Sequence, residues 1–318
     1  FEDEFSTFIG GSHALSVNSG TAALHIALIL AGVGKGDEVI STSLTAEPTN
    51  VAIRMVGAKI VYADIDMNTG CLDPKSVISK ITPKTRAVIL VDYAGVIGDI
   101  EAFLDIESVF NIPIIQDAAH SLGSEYNNTM IGSHFNYVAF SLQAIKHMTT
   151  VDGGILMIKE KEEYDRAKKI RWFGLDKLLT RFDNNIQEQG FKYHMNDVNA
   201  TIGLIQLKYV LNNRRIIRRN QSLYDEHLQN IKGIKLLNYT ENSNPNLWLY
   251  SVLTSNKVGL ENYLVSKGIA CSSLHKRNEE HDFLTSSTLS SLPVLDEYYN
   301  GLLHIPVGWW MSQSDIME

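Results

Sequence analysis

The sequence predicts an α/β protein in which a large domain on a mostly parallel sheet is followed by a smaller α+β domain. Three observations predict it. From about Ser19 to Ile158, helical and strand-like runs alternate, the order that lays helices against a parallel sheet. The run Ala87-Val88-Ile89-Leu90-Val91 is apolar at every residue, as expected of a strand covered on both faces. After about Ile205 the alternation gives way to one long helical pattern and shorter mixed pieces. The division is therefore set at 1–205 for the large domain and 206–318 for the small one.

The elements follow in order. Phe1, Phe5, Phe8 and Ile9 recur at helical spacing, and Thr21–Ala31 reads as a helix stopped by Gly32. Glu38–Thr42 is a strand, and Pro48 suits the first turn of a helix running to Gly57. Lys59–Ala63 is a strand, Asn68-Thr69-Gly70 a turn, and a short helix follows Pro74. The strand Arg86–Val91 precedes a helix near Asp99–Phe110, and Ile112–Gln116, Tyr137–Ser141 and Gly154–Ile158 are further strands. Lys161–Phe173 and Val198–Tyr209 are helices, and a long helical pattern runs from Leu207 to about Ile231. It carries Arg214, Arg215, Arg218 and Arg219, a solvated or interface face or a phosphate site. The serine-rich stretch Leu284–Leu292 is expected to be a surface loop. Because the chain opens within a helical pattern at Phe1 and closes on a helix start at Ser312–Glu318, both ends are expected to be trimmed.

Bulk properties exclude several function classes. At 318 residues the chain has room for a large domain and a smaller one. Its 28 basic and 36 acidic residues give a formal charge of −8, which argues against nucleic acid held by bulk electrostatics. An anionic substrate would need a local positive cluster. Cys71 and Cys271 provide neither a disulfide framework nor metal-ligand spacing, so no metal and a reducing, cytoplasmic setting are expected. The apolar stretch Ala22–Gly34 is broken by His25 and falls short of the ~20 residues a membrane helix needs. Gly32-Val33-Gly34-Lys35-Gly36 resembles a dinucleotide loop, yet it follows a helix and precedes a strand, the reverse of the order that motif requires.

Four short motifs carry chemistry. Asn18-Ser19-Gly20-Thr21-Ala22 opens a helix whose free amides and positive dipole end suit a phosphate. Alone, it is also a plain cap on Ser19. Ile114-Ile115-Gln116-Asp117-Ala118-Ala119-His120 ends an apolar strand in a carboxylate, with an imidazole three residues on. Ligands of open α/β sheets bind outside the carboxyl ends of the strands, which suits Asp117, although alone it reads equally as a helix cap. Phe140–His147, ahead of Asp152-Gly153-Gly154, sets Lys146 between two strands. A buried lysine without a partner is costly, so Lys146 is either a snorkelling surface residue or a functional one. A desolvated lysine gives up its proton readily and can form a Schiff base. Gly190-Phe191-Lys192-Tyr193-His194-Met195-Asn196-Asp197 is by itself a capped helix start.

In order and spacing these motifs resemble the pyridoxal-phosphate (PLP) dependent sugar aminotransferases of the DegT/DnrJ/EryC/StrS group, over nearly the whole chain. Gly36-Asp37-Glu38-Val39-Ile40, Gly57-Ala58-Lys59, Ile81–Ala87 and Ile305-Pro306 look like that group as well. The resemblance implies the type I aminotransferase fold and pyridoxal 5'-phosphate as cofactor. Lys146 matches the lysine that joins PLP covalently and later moves the proton. Asp117 matches the carboxylate paired with the pyridine nitrogen, and His120 a residue close to the ring and its 3′-oxygen. Gly20, Thr21, Ala22 and Ser141 match the cofactor-phosphate segments.

Two departures stand out. Ala46, followed by Glu47, occupies the place where family members usually have a ring-stacking aromatic, so stacking is expected from elsewhere, with His120 a candidate. Lys192 stands where an asparagine commonly reaches the phosphate of the neighbouring subunit, and His194 replaces a common arginine. What the resemblance implies is a homodimer with shared active sites. It would move an amino group, with glutamate as donor, onto a keto group of a nucleotide-linked deoxyhexose. His275, Lys276 and Arg277 are candidates for the sugar-nucleotide diphosphate, with a solvated loop as the alternative reading of that cluster. PLP-dependent keto-sugar dehydration is the sister chemistry on this fold, but in those relatives histidine replaces the lysine. A non-catalytic protein that keeps the fold for binding or assembly is the reading of a different class.

Overall fold

The computed structural model describes residues 1–11, 13–285 and 291–318. Of the serine-rich stretch Leu284–Leu292, residues 286–290 lie outside the described residues. The strands are β1 (His13–Val17), β2 (Glu38–Ser41), β3 (Lys59–Tyr62), β4 (Thr85–Val91), β5 (Ile114–Asp117), β6 (Glu125–Tyr126), β7 (Thr129–Met130), β8 (Tyr137–Ser141), β9 (Gly154–Ile158), β10 (Ile234–Leu236), β11 (Ser243–Asn244), β12 (Tyr250–Thr254) and β13 (Leu302–Ile305). The helices are α1 (Glu2–Ile9), α2 (Gly20–Leu30), α3 (Glu47–Met55), α4 (Pro74–Lys80), α5 (Ile100–Phe110), α6 (Lys161–Ile170), α7 (Asp197–Leu207), α8 (Val210–Leu228), α9 (Lys257–Ser266), α10 (Pro293–Gly301) and α11 (Gln313–Met317).

Among the described residues seven strands form the main sheet, in the order β1-β9-β8-β5-β4-β2-β3. Pairs β8/β5, β5/β4, β4/β2 and β2/β3 are parallel, and β9 alone runs against the rest. The apolar run on β4 explains its central place. Ala87, Val88, Ile89 and Leu90 are fully buried, and each large aliphatic side chain so covered contributes about 1.5–3 kcal/mol. The carboxyl ends of the adjacent strands β4, β5 and β8 fall together, with Val91 beside Asp117 and Asp117 beside Ala139.

Helix starts follow the expected chemistry. Ser19 caps α2 by accepting from the Ala22 amide at 3.1 Å. Asp99 caps α5 through the Ala102 amide at 3.1 Å, and Asn196 caps α7 through the Asn199 amide at 3.0 Å. Such caps contribute about 1 kcal/mol each. Pro48 sits in the first turn of α3.

The small sheet, β10-β12-β13, is antiparallel. Its Val252, Leu302 and Leu303 share one apolar core with Leu15 and Ile89 of the large sheet and Ala23 of α2. The expected division at 205/206 falls in the last turn of α7. The apolar pattern gives no sign of the joint between α7 and α8, because the backbone stays near-helical through Lys208 and Tyr209. The arginine cluster on α8 is split in function. Arg214 is buried in a two-pronged pair with Glu125 at 2.7 Å, whereas Arg219 donates to the Met311 carbonyl at 3.1 Å. Among the described residues no helix is long and apolar enough to cross a membrane.

Candidate active site

The carboxyl ends of β5 and β8, the start of α2 and the loop after β8 enclose a cavity of about 460 Å³. Gly20, Thr21, Asp117, His120, Ser141, Lys146 and His275 all line it. Motifs scattered over more than 250 residues of chain thus meet at one place.

Asp117 ends β5 and is almost wholly buried. Its Oδ2 accepts from the Thr49 hydroxyl at 2.7 Å and its Oδ1 from the Ala119 amide at 3.2 Å. Burial pushes its carboxyl above the usual range, while those hydrogen bonds and the Lys146 charge pull the other way. Lys146 projects from the loop after β8 and is pushed down to about 8 by burial, against the attraction of Asp117. Half-buried at the cavity wall, its amine is partly desolvated and faces the cavity.

His120 is buried, and its Nδ1 accepts from the Ala94 amide at 3.3 Å. That bond leaves the ring proton on Nε2. Burial, with Lys146 nearby, holds His120 well below the usual imidazole range, so it is neutral. One face of its ring stacks on Trp248, with centroids 4.1 Å apart and planes at 21°. His275 enters from the small-domain side. Its Nδ1 is 3.8 Å from the Glu47 carboxylate, and its buried Nε2 has no hydrogen-bond partner among the described residues.

These residues fit PLP. Ser19 takes the Ala22 amide with its side chain and the Ala23 amide with its carbonyl, leaving the first amides of α2, those of Gly20 and Thr21, for an anion. A Cβ on Gly20 would lie 3.0 Å from the Ser141 Cβ, so glycine there opens the cradle between α2 and β8. A buried carboxyl faces a desolvated amine, and a neutral imidazole offers its Nε2 proton.

The other predicted residues lie elsewhere. Ala22 is buried in α2 behind the cavity wall. Lys192 is exposed, with its Nζ 4.9 Å above the Trp172 ring, and does not line this chain's cavity. Its carbonyl accepts from the Asn18 side chain at 3.2 Å. His194 meets Trp172 edge-on at 4.3 Å. Arg277 is paired with Glu279 and Asp296 and does not line the cavity, so an anion would have to compete with both carboxylates.

Sequence reasoning missed Trp248 and the turn that places it. Tyr93–Gly95 is a tight turn with Ala94 at φ 55° and Gly95 at φ 96°. The Ala94 amide reaches His120, and the Ala94 carbonyl accepts from the Trp248 amide at 2.9 Å. A Cβ on Gly95 would lie 2.7 Å from the Asn246 oxygen and the Trp248 nitrogen, and 2.8 Å from the His120 oxygen. All three are backbone atoms that cannot swing aside. Gly95→Ala is therefore expected to cost about 2–4 kcal/mol of stability, read by urea unfolding. Parent-like stability would show that this clasp is loose.

A mostly parallel seven-stranded sheet that carries a small antiparallel sheet, with lysine, aspartate and histidine at its carboxyl edge, is the type I aminotransferase fold. The chain belongs to the DegT/DnrJ/EryC1/StrS aminotransferase family, whose model matches residues 1–318. Over 241 residues it is 36% identical to the spore coat polysaccharide biosynthesis protein SpsC of Bacillus subtilis (strain 168). That match covers 74% of this chain and 62% of the length of SpsC. AtS13 of Actinomadura melliaura superposes with a TM-score of 0.95 at 34% identity, covering 99% of this chain and 87% of that one. The sugar aminotransferase CalS13 of Micromonospora echinospora does so with a TM-score of 0.95 at 32% identity, covering 99% and 88%.

Proposed function

We propose that this protein is a PLP-dependent aminotransferase that moves an amino group, with glutamate as donor, onto a keto group of a nucleotide-linked deoxyhexose. The observation that carries the reading is Lys146, a desolvated amine beside a buried carboxylate and next to an open helix N-terminus. Family membership and the likeness to CalS13 support a sugar as the acceptor. Lys146 also argues against the dehydratase reading.

When bound, PLP supplies an electron sink for the carbanion formed beside the amine nitrogen. The chain does the rest. The amides of Gly20 and Thr21 and the Ser141 hydroxyl would hold the phosphate. Asp117 would keep a proton on the pyridine nitrogen, and His120 would donate from Nε2 to the ring oxygen. Lys146 would hold the cofactor covalently and, once freed by the incoming amine, carry the proton from one carbon to its neighbour. Glu47 and His275 line the cavity wall and would meet the sugar. The test is a panel of nucleotide-linked aminosugars and keto-sugars, reading the absorbance of bound PLP for conversion between its aldehyde and amine forms. Absence of conversion across such a panel would sink the sugar reading.

The active site is proposed to be shared between two subunits, Lys192 of each reaching the phosphate held by the other. Its exposure, and its place outside the lining of its own cavity, support this. Such a charged donor adds about 1.5–3 kcal/mol to phosphate binding when desolvated, so Lys192→Ala is expected to weaken PLP retention. Mixing Lys146→Ala with Lys192→Ala subunits gives dimers in which one site takes both lesions and the other neither. Some near-normal activity should return, and its failure to return despite demonstrated subunit exchange would rule out the shared site.

A further inference from the structure

Trp248 is tied to the chemistry at four points. Its indole stacks on His120, with centroids 4.1 Å apart. The Lys146 Nζ lies over its ring, 4.0 Å from the centroid. Its Nε1–H donates to the carbonyl of Ile145, the residue before Lys146, at 2.8 Å. Its backbone amide is held by the Ala94 carbonyl at 2.9 Å, in the turn that also orients His120. No other aromatic among the described residues lies under the Lys146 amine.

We propose that Trp248 is a positioning residue for Lys146, its indole face being the resting place of the lysine amine whenever that amine is not joined to the cofactor. The inference deepens the proposed aminotransferase reading and rests on it for its catalytic meaning. An ammonium over an indole face is attracted by the ring quadrupole, most strongly where water is excluded. The face therefore holds the freed amine beside the cavity between proton transfers, and the Nε1–H bond keeps the loop from drifting. The ionisable groups around that amine are Asp117, which favours its charge, and the His120, His147 and His275 rings. All four are retained in the Trp248 variants, although His120 loses its stacking partner in the Leu variant.

Trp248→Leu keeps an apolar cover but removes the quadrupole, whereas Trp248→Phe keeps a ring. The test uses the full-length chain stripped of PLP and labelled with 13C at lysine Cε, with the Lys146 signal assigned by its loss in Lys146→Arg. In the parent protein this signal is expected upfield of the other lysines, through the indole ring current. Trp248→Phe should keep part of that displacement and a near-parent titration midpoint. Trp248→Leu should lose the displacement, and its midpoint should fall by about one unit as the ammonium loses its partner. An undisplaced Lys146 signal in the parent, or a Leu variant that titrates like the parent, overturns the proposal. PLP uptake by the parent is read separately by visible absorbance, and failure there would sink the aminotransferase reading while the lysine signals still decide the role of Trp248.

Discussion

Lys146→Ala is expected to lower turnover by about 10⁴-fold and to abolish the covalent link to PLP, with the fold intact. The amine lines a cavity instead of filling a packed core, so truncation opens no new void in the interior. It also removes a group whose charged form burial disfavours, so stability should not drop. PLP should still be retained through its phosphate, because the amides of Gly20 and Thr21 do not depend on residue 146. Two measurements separate these effects. Borohydride should fix the cofactor to the parent chain but not to the variant, and denaturation midpoints should coincide. The parent also carries a pH signature. Only the neutral amine attacks the cofactor, so capture of PLP by stripped protein should quicken as pH rises and level off above about 8, where an ordinary lysine is still charged. Normal turnover in the variant would remove the central claim.

Much of this was legible in the sequence because it rests on local signals. Strands as apolar as Ala87–Val91 can only be central, and β8 and β9 fall where their flanking residues put them. Ser19, Asp99 and Asn196 announce helix starts through chemistry confined to three residues. The motif residues Gly20, Thr21, Asp117, His120, Ser141 and Lys146 converge in one cavity because each sits at an element end on the same edge of the sheet. The strand β1 was not read. With His13 and Ser16 among its five residues, it carries too little apolar pattern, and its place comes from pairing with β9. Trp248 was hidden for a different reason. It lies 102 residues beyond Lys146, in a segment with no period of its own, held by the backbone of the Ala94 turn. Contacts made by backbone atoms across such separations leave no mark on residue type, except at Gly95, where a side chain has no room. The pairing of Arg214 with Glu125 was likewise invisible, because charges on a helix face read as solvated until a partner is placed against them.

Asp117→Asn is expected to lower kcat by about 10²–10³-fold with little change in fold. The surroundings can accept the amide. Its oxygen can keep the bond from the Ala119 amide, and its NH₂ can donate to the Thr49 hydroxyl, reversing the present 2.7 Å bond in which Thr49 donates to Asp117. Thr49 can then turn its own proton to the Thr45 hydroxyl, 2.9 Å away. No buried polar group is left without a partner, so the large penalty for an orphaned atom does not arise. What the amide cannot do is balance a positive charge. A carboxylate in a buried site stabilises a protonated pyridine nitrogen through both charge and hydrogen bond, while an amide offers only a dipole. Without that proton the ring draws electrons poorly, and the barrier to removing the substrate proton rises. Binding should suffer less than chemistry, since the phosphate cradle and Lys146 are unaltered. The measurement is single-turnover kinetics on the loaded variant beside its urea unfolding curve. A loss of stability matching the loss of rate would make Asp117 a structural cap, and parent-like kinetics would show that the carboxylate has no part in the reaction.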